Sequence, residues 1–439
     1  MAVAPDFRRY YTALDRSSPI LARGKITKVV GLLTEAWGPV SSVGSICDIE
    51  AAGGFPPVKA EVMGFKDDRI LLMPLGDLKG IRPGTKVVAR YKAASLGVGE
   101  GLLGRVIDAL GNPLDGKGRV RIETHYPIYA DPVNPTSRTR ISEPLDTGIR
   151  AINGLMSIGS GQRMGIFSGS GVGKSVLLGM IARKTGADVN VIALIGERGR
   201  ELNDFLERDL GEEGLRRSVV VVATSENLPL IRMRGAFAAT AVAEYFRDRG
   251  KKVLLMMDSL TRFAMAQREI GLAAGEPPTA KGYTPSVFTL LPKLLERAGT
   301  GEGPGSITGL YTVLVEGDDM SDPIADAARS ILDGHIVLSR DLAMQNHYPP
   351  IDVLSSLSRV MPDIVGEDHR RWAGKLREAL ATYRKAEDLL NIGAYVHGSN
   401  PKIDQAIKMI DQVNDYLRQE VGETASYEES VSGLRTLFS

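Results

Sequence analysis

The sequence has very little cysteine and almost no excess of charge of either sign. Cys47 is its one cysteine, so no intrachain disulfide can form and the composition fits a reducing compartment. Its apolar surroundings predict a small core residue rather than a nucleophile. The 54 basic and 53 acidic residues leave a formal net charge of +1. A domain that binds duplex nucleic acid usually carries a clear basic excess, so only a local groove for single strands stays open.

Long hydrophobic runs are also missing. No stretch of about 18 apolar residues occurs, so the sequence predicts no membrane-spanning helix. The N-terminus lacks the apolar region of a signal peptide. We therefore expect a protein that is made and folded in the cytoplasm, although contact with a membrane surface stays open.

The N-terminal segment has a pattern of its own. Residues 2–16 place Phe7, Tyr10 and Leu14 at helical spacing, with arginines between them, which predicts a short amphipathic helix with a basic face. Such a helix fits two interpretations equally well. It packs on its own domain, or it docks on a partner or an anionic membrane surface.

The rest of the chain changes character along its length, which predicts several domains. We assign 1–23 to the docking segment, 24–92 to a β-barrel, 93–365 to an ATPase core with its junction, and 366–439 to a helical domain. The barrel is predicted from short β-rich runs separated by turn signals. They lie at 24–33, 45–49, 58–64, 69–73 and 85–91. In the core, short apolar runs alternate with helical segments, which predicts a wound α/β domain. These runs lie at 163–167, 189–195, 218–223, 253–257, 308–315 and 334–338.

A glycine-rich loop follows one predicted strand and precedes a predicted helix. Its residues are Ser168, Gly169, Ser170, Gly171, Val172, Gly173, Lys174 and Ser175. This context predicts a P-loop, in which glycines let backbone amides face a phosphate and the helix N-terminus favours negative charge. Lys174 is then expected to reach the β- and γ-phosphates of ATP, and Ser175 to ligate Mg²⁺. Ser168 departs from the usual first glycine; a chance glycine-rich turn is the alternative.

Two carboxylates follow apolar runs and should emerge at the same sheet edge as the loop. Asp258 ends the run at 253–257 and is predicted to hold Mg²⁺ through water; otherwise it caps the next helix. Glu197 follows the run at 189–195, where a carboxylate can polarise an attacking water. From the residues alone, a solvated charge cluster explains Glu197 equally well.

Three further charged residues complete the predicted site. Arg198 and Arg262 are positioned to neutralise phosphate charge, and Glu201 is predicted as an additional metal ligand. Charged runs in loops are usually solvated, so a solvated charge cluster without a role in catalysis is the alternative for these three residues as well.

Taken together, these motifs resemble the catalytic subunit of rotary ATP synthases and its relatives. The similarity rests on the loop at 168–175, on Gly-Glu-Arg-Gly-Arg-Glu at 196–201 and on Asp-Ser-Leu-Thr-Arg at 258–262. Other stretches look like type III protein-export ATPases, and most like the flagellar export ATPase. They lie at 268–272, 282–286, 305–313 and 393–395. The resemblance covers nearly the whole chain. It implies an α/β fold with a RecA-like P-loop core, an N-terminal β-barrel and a C-terminal helical domain.

The resemblance also implies roles that the residues alone leave open. Glu197 matches the glutamate that orients the attacking water. Arg359 matches an arginine finger that reaches the nucleotide of the neighbouring subunit, in a ring of six copies. Tyr348 matches the aromatic residue near the adenine, with a core tyrosine as the alternative. The implied cofactors are ATP and Mg²⁺.

The family also implies where such a chain works. Its members act at the inner face of the cytoplasmic membrane and couple hydrolysis to the unloading and unfolding of export substrates. The implied partners are export-gate and stator-like regulatory proteins and chaperone-bound substrates. Residues 2–16 match the region that contacts a regulatory partner, and peripheral membrane contact through them is part of the same expectation.

Four other functions fit parts of the sequence. A non-catalytic nucleotide-binding ring subunit typically lacks a glutamate at the place of Glu197. A nucleic-acid translocase calls for basic or aromatic clustering in the barrel; 24–92 shows none, so we expect no nucleic-acid partner. The stretches at 305–313 and 393–395 argue against a synthase catalytic subunit. A virulence-type injectisome ATPase shares every catalytic residue, and the overall pattern of 302–343 favours the flagellar system.

Overall fold

The computed structural model describes residues 22–315, 317 and 319–438, together with Phe7 and Tyr11. The helix predicted at 2–16 therefore lies outside the described residues, those two apart. The chain divides into two compact units: Met1–Ser95 with Ala273–Gly275, and Leu96–Leu272 with Glu276–Ser439. Along the described parts of both units, no helix combines the length and the apolar character that crossing a membrane requires.

The first unit contains a small β-barrel. Its strands are β1 (Arg23–Val30), β2 (Leu33–Trp37), β3 (Ser45–Ile49), β4 (Val58–Lys66), β5 (Arg69–Pro74) and β6 (Lys86–Ala93). Within the described residues these six close in the order β1–β2–β5–β4–β3–β6. Alternate side chains point inward, and Cys47, Ile49 and Leu72 are among those that form the core. Burial raises the pKa of the Cys47 thiol, in line with its predicted place in a core.

One strand prediction in the barrel is wrong. The single strand expected over 24–33 is a hairpin of β1 and β2. Gly31 lies in the connecting turn with φ 56°, in the left-handed region that glycine enters without a steric penalty. Apolar residues flank Gly31 on both sides, from Val29 to Leu33, so the sequence reads as one continuous run and hides the turn.

The second unit is built around a mostly parallel sheet. Its strands are β8 (Arg105–Asp108), β12 (Arg163–Ser168), β13 (Val189–Ile195), β14 (Ser218–Ala223), β15 (Lys252–Asp258), β16 (Gly299–Thr300), β17 (Ser306–Leu314), β18 (Gly334–Leu338) and β19 (Leu357–Ser358). The described order is β19–β18–β12–β17–β15–β13–β14–β8, with β16 paired to β17. Every residue of β13 is buried, as expected when both faces of a parallel sheet are covered. Four short strands lie outside it: β7 (Ser95–Val98) pairs with β9 (Thr124–Pro127), and β10 (Pro144–Leu145) with β11 (Ile158–Gly159).

Helices cover this sheet. They are α1 (Arg150–Leu155), α2 (Lys174–Lys184), α3 (Gly199–Asp204), α4 (Gly211–Arg216), α5 (Pro229–Arg247), α6 (Leu260–Ala273), α7 (Pro285–Leu295), α8 (Pro323–Ile331), α9 (Arg340–Met344) and α10 (Met361–Ile364). A π-helical turn, Phe205–Leu210, joins α3 to α4, and 3₁₀ turns lie at Glu100–Leu102, Pro135–Ser137 and Ala280–Gly282.

The C-terminal region is helical, as predicted. It contains α11 (Glu367–Asn391), α12 (Pro401–Leu417) and α13 (Tyr427–Phe438). Leu376, Val413 and Leu434 contribute one apolar side chain from each helix to the same buried cluster as Ile152 of α1. The helices therefore share a core with the α/β part of the unit. The sequence predicted a helical domain here without separate bounds for α13.

Candidate active site

The P-loop joins the end of β12 to the start of α2. Gly171 and Gly173 have φ values of 77° and 93°, and a side chain there would be strained. Ser168 does not share this conformation, because it is still part of β12 and pairs with Leu314. A serine therefore fits the place of the usual first glycine. Its Oγ is buried without a hydrogen-bond partner among the described residues.

Lys174 lies between the two predicted carboxylates. Its Nζ donates a short hydrogen bond to Oδ1 of Asp258 and lies 3.8 Å from Oε1 of Glu197. Asp258 ends β15 and is only 3% exposed. The same Oδ1 accepts a hydrogen bond of 2.7 Å from Oγ1 of Thr312 on β17. These contacts bring the loop and both strand ends to one point, as the sequence predicted.

Glu197 has an unusually basic carboxylate. Burial is the main cause, and the negative charge of Asp258 adds to it, so the pKa of Glu197 is raised to about 7 although Lys174 opposes the shift. A hydrogen bond with Glu201 acts in the same direction as burial, since two carboxyl groups share such a bond only when one of them is protonated. A pKa near the working pH is what a general base needs.

The turn at Gly196 lies against Arg262. Gly196 has φ 72°, and a Cβ there would lie 2.8 Å from the Cβ of Arg262. Only glycine allows the Arg262 side chain to pass this close to the strand end. The Nε of Arg262 is buried and has no hydrogen-bond partner among the described residues. A partly buried cation in this condition suits an anionic ligand.

The two remaining predicted charges lie further out. Arg198 is exposed, and its Nη1 lies 3.5 Å from Oε1 of Glu201. Glu201 belongs to the first turn of α3 and contacts the site through Glu197. The structure thus places Glu201 next to the predicted base rather than in contact with Lys174.

Tyr348 lies beside the loop rather than in the core. Its side chain is 46% exposed, and its ring would meet a Cβ at Gly173 at 3.7 Å. Tyr348 and the loop glycines line a cavity of about 380 Å³ whose far wall includes Gln419 and Val421.

Arg359 and the P-loop of the same chain lie at opposite ends of the parallel strands. It follows β19, whose Ser358 pairs with Gly334 at the start of β18, and its N–H donates to the carbonyl of Asp333. The P-loop follows the other end of β12, which runs parallel to β18. About 13 Å of strand separates the two levels. The exposed Arg359 side chain therefore cannot join the phosphate site of its own chain.

Two contributors to the site were not predicted. Thr312 hydrogen-bonds Asp258, and its signal was weak, because it is one of two threonines inside a buried strand. Gln419 connects the C-terminal region to the site, because its N–H donates to the carbonyl of Tyr348 at 2.9 Å. No local pattern marks a residue that lies 71 positions from its partner in the printed numbering.

Comparison with known proteins identifies the family. Residues 148–358 match the nucleotide-binding domain of the ATP synthase alpha/beta family, and 26–90 match its beta-barrel domain. Residues 365–436 match the T3SS EscN ATPase C-terminal domain. A flagellum-specific ATP synthase from Bacillus subtilis is 55% identical, covering 94% of each chain. The chain belongs to the ATP synthase alpha/beta family. Its relatives there include flagellum-specific ATP synthases and type 3 secretion system ATPases.

Two further members of the family are similar over nearly the whole chain. A type 3 secretion system ATPase from Xanthomonas euvesicatoria is 52% identical, covering 97% of each chain. The structure of the assembled ATPase EscN from enteropathogenic E. coli matches with a TM-score of 0.89 at 45% identity, over 95% of this chain and 100% of that one. Family membership confirms the predicted resemblance and fold class, and it makes this chain a nucleotide-binding ATP hydrolase. Flagellar and secretion-system relatives are similarly close.

Proposed function

We propose that this chain hydrolyses ATP at the P-loop, with Glu197 activating the attacking water. The observation that carries the proposal is the convergence of Lys174, Asp258 and Glu197 on one point. The backbone amides of the loop bind the phosphates, and Lys174 exchanges its carboxylate partners for the β- and γ-phosphates. Glu197 then accepts a proton from water, for which its raised pKa of about 7 suits it. Arg262, with its unpartnered Nε, neutralises charge on the transferred phosphoryl group.

The residues present suit Mg²⁺ as the metal that accompanies ATP. The hydroxyl of Ser175 and the carboxylate of Asp258 are hard oxygen donors, and Mg²⁺ normally takes only one or two protein ligands beside phosphates and waters. In keeping with that, no group of three or more His, Cys, Asp or Glu side chains is arranged as a metal cage in the described part of the chain. When bound, the metal neutralises phosphate charge. Ser175 and Asp258 would hold it, and the predicted ligand Glu201 stays a prediction.

We propose further that Arg359 acts on the nucleotide of a neighbouring copy. Its position at the far sheet edge supports this role, because no arrangement within one chain brings it to the phosphates. A ring of six copies places that edge of one subunit against the P-loop of the next. An arginine supplied in this way accelerates phosphoryl transfer by about 10³- to 10⁵-fold in other systems.

The cellular role that we propose is protein export. The chain energises export of flagellar proteins by a type III apparatus, releasing or unfolding substrates at the membrane export gate. A virulence-type injectisome is the second candidate, because secretion-system relatives are nearly as similar as flagellar ones. Proposed partners are export-gate and stator-like regulatory proteins and chaperone-bound substrates. We place the chain in the cytoplasm, peripheral to the inner face of the membrane, which it contacts through 2–16. The domain boundaries at 23, 92 and 365 also stay part of the proposal.

The hydrolytic role is tested with Glu197→Gln, which keeps the shape of the side chain and removes the base. We expect kcat to fall by about 10²-fold or more, while a fluorescent ATP analogue still binds. Glu212→Gln is the matched control, since Glu212 is exposed on α4 and should leave the rate unchanged. Hydrolysis by Glu197→Gln at the wild-type rate would remove Glu197 from the mechanism.

The export role is tested in a flagellated bacterium that has lost swimming because its own flagellar export ATPase gene is deleted. Expression of this chain should restore swimming, and Glu197→Gln at equal abundance should not. Restoration of effector secretion in an injectisome mutant, without restoration of swimming, would favour the second candidate.

A further inference from the structure

The carboxylate of Asp258 is held by one of its two oxygens. Its Oδ1 accepts hydrogen bonds from Nζ of Lys174 and, at 2.7 Å, from Oγ1 of Thr312. Its Oδ2 accepts none from any residue that the structure describes, and it is not among the fully buried unpaired atoms of this part of the chain. One oxygen is therefore committed to the protein, and the other is open to a ligand.

Thr312 reaches Asp258 from the neighbouring strand. Met257 of β15 pairs with Tyr311 of β17, so the next residue of each strand, Asp258 and Thr312, lie side by side. Thr312 is fully buried, and its branched side chain is restricted in χ1. The hydroxyl has one proton to donate, and the carbonyl of Met257, at 3.3 Å, is the more distant acceptor. The proton therefore goes to Asp258, whose charge strengthens the bond.

The two donors to Oδ1 differ in how long they stay. Under the proposed function, Lys174 leaves Asp258 for the β- and γ-phosphates of ATP. Among the described residues, Thr312 is then the donor that remains on Oδ1. The terminal torsion of an aspartate side chain has a broad, roughly two-fold profile, so a carboxylate without such a contact turns easily. Thr312 thus keeps the orientation of Asp258 fixed after Lys174 has moved.

We propose that Thr312 is the positioning residue of the metal site: its hydroxyl holds Oδ1 of Asp258, so that Oδ2 stays available to Mg²⁺ or to the waters around it. The inference rests on the proposed function, which assigns Asp258 to the metal. It adds a residue that acts through Asp258 and contacts neither metal nor nucleotide. Loss of a hydrogen-bond partner behind a metal ligand typically costs about 10- to 100-fold in metal affinity or activity. An effect of that size should appear when the hydroxyl of Thr312 is removed.

The chain offers a matched control on the same strand. Thr308 of β17 is 1% exposed, and its Oγ1 accepts from the N–H of Gly161 at 2.8 Å. It lies about 13 Å along the strand from Thr312, and so away from Asp258. Thr308→Val and Thr312→Val each exchange a buried, hydrogen-bonded hydroxyl for a methyl group. Both should lose stability, and only Thr312→Val should change how the chain binds Mg²⁺.

The test titrates Mg²⁺ against the binding of a fluorescent ADP analogue, which needs no hydrolysis. For Thr312→Val, the Mg²⁺ concentration that gives half of its effect on binding should rise by about tenfold or more, while binding in EDTA stays unchanged. Thr312→Ser keeps a hydroxyl and should titrate like the wild type, as should Thr308→Val.

A second variant keeps the test independent of how well Thr312→Val folds. Thr312→Ala lacks the hydroxyl and adds no bulk in its place, so it should repeat the shift in Mg²⁺ requirement. An unchanged titration in Thr312→Val and Thr312→Ala would overturn the proposal. An equal shift in Thr308→Val would overturn it as well, because loss of stability alone would then explain the effect.

Asp258→Asn distinguishes this inference from the proposed function. Loss of the carboxylate should raise the Mg²⁺ requirement at least as much as Thr312→Val does. A shift in Asp258→Asn without one in Thr312→Val leaves the metal assignment intact and overturns only the role of Thr312. No shift in Asp258→Asn contradicts the assignment of the metal to Asp258, and the role of Thr312 fails with it.

Discussion

At the residue scale, the site depends on one lysine between two acidic groups. Lys174 hydrogen-bonds Asp258 and lies 3.8 Å from Glu197. Thr312 holds Asp258 from the neighbouring strand. Glu197 lies further from Lys174 than Asp258 does, and burial and the charge of Asp258 keep it partly protonated near neutral pH. The raised pKa of Glu197 should therefore affect the stability of the fold as well as catalysis.

The folded-state pKa of Glu197, about 7, lies above its ordinary value of 4.5. The folded chain therefore holds this proton more tightly than the unfolded chain. The stability that it contributes is fully present below pH 4.5 and is lost as the pH rises through 7. Glutamine carries no such charge, so Glu197→Gln should gain thermal stability over the wild type as the pH rises from 5 to 8.5. The groups that face Glu197 are Asp258, Lys174 and Glu201.

Thermal midpoints of nucleotide-free protein at the two pH values, about 5 and 8.5, measure this difference. The exposed Glu212→Gln variant is the control, and its difference from the wild type should not change with pH. If the difference in thermal midpoint between Glu197→Gln and the wild type is also independent of pH, Glu197 ionises normally in the folded chain.

At the element scale, the sequence predicted best where the signal is local. The apolar runs at 189–195, 218–223 and 334–338 coincide with β13, β14 and β18. Every residue of β13 and β14 is buried, and strands buried on both faces need apolar residues throughout. The P-loop was found because strand, glycines and helix are adjacent in the chain. The hairpin at Gly31 was missed, because a turn within a continuous apolar run leaves little local signal.

A buried ion pair joins two elements that no sequence pattern connects. Arg297 follows α7, and its guanidinium contacts the carboxylate of Glu244 on α5 at 2.8 Å. The two side chains are 0% and 6% exposed. Arg297 also donates to the carbonyl of Ile128. The pair ties α5 to two distant segments beside the central sheet.

Removing one partner should be much worse than removing both. Arg297→Met leaves a buried carboxylate without a cation and should lower the free energy of unfolding by about 3–5 kcal/mol. The double variant Arg297→Met/Glu244→Leu should recover most of that loss. Urea unfolding is measured in a Trp37→Phe background, where the fluorescence of Trp372 reports on the larger unit. Equal losses in the single and double variants would mean that the pair is not a buried, mutually dependent unit.

At the scale of the whole molecule, the topology of the sheet determines which residues can reach the phosphate site. The sequence named Arg359 only through a family resemblance, since strand order is not visible in a list of apolar runs. In the fold, β18 and β12 are parallel neighbours, and this puts Arg359 at one edge and the P-loop at the other. The active site that we propose is therefore completed by a second copy of the chain. The assembled relative EscN, at a TM-score of 0.89, supports this view.

The most direct test mixes two inactive variants. Glu197→Gln lacks the base, and Arg359→Ala lacks the finger but should still bind ATP. Each alone should hydrolyse ATP near background, and wild-type specific activity should rise with protein concentration as copies associate. In an equal mixture, about a quarter of the interfaces combine an intact Glu197 with an intact Arg359 if copies assemble at random. Recovery of activity to roughly that fraction of wild type is the predicted result. A mixture no more active than the average of its components would contradict a site shared between subunits.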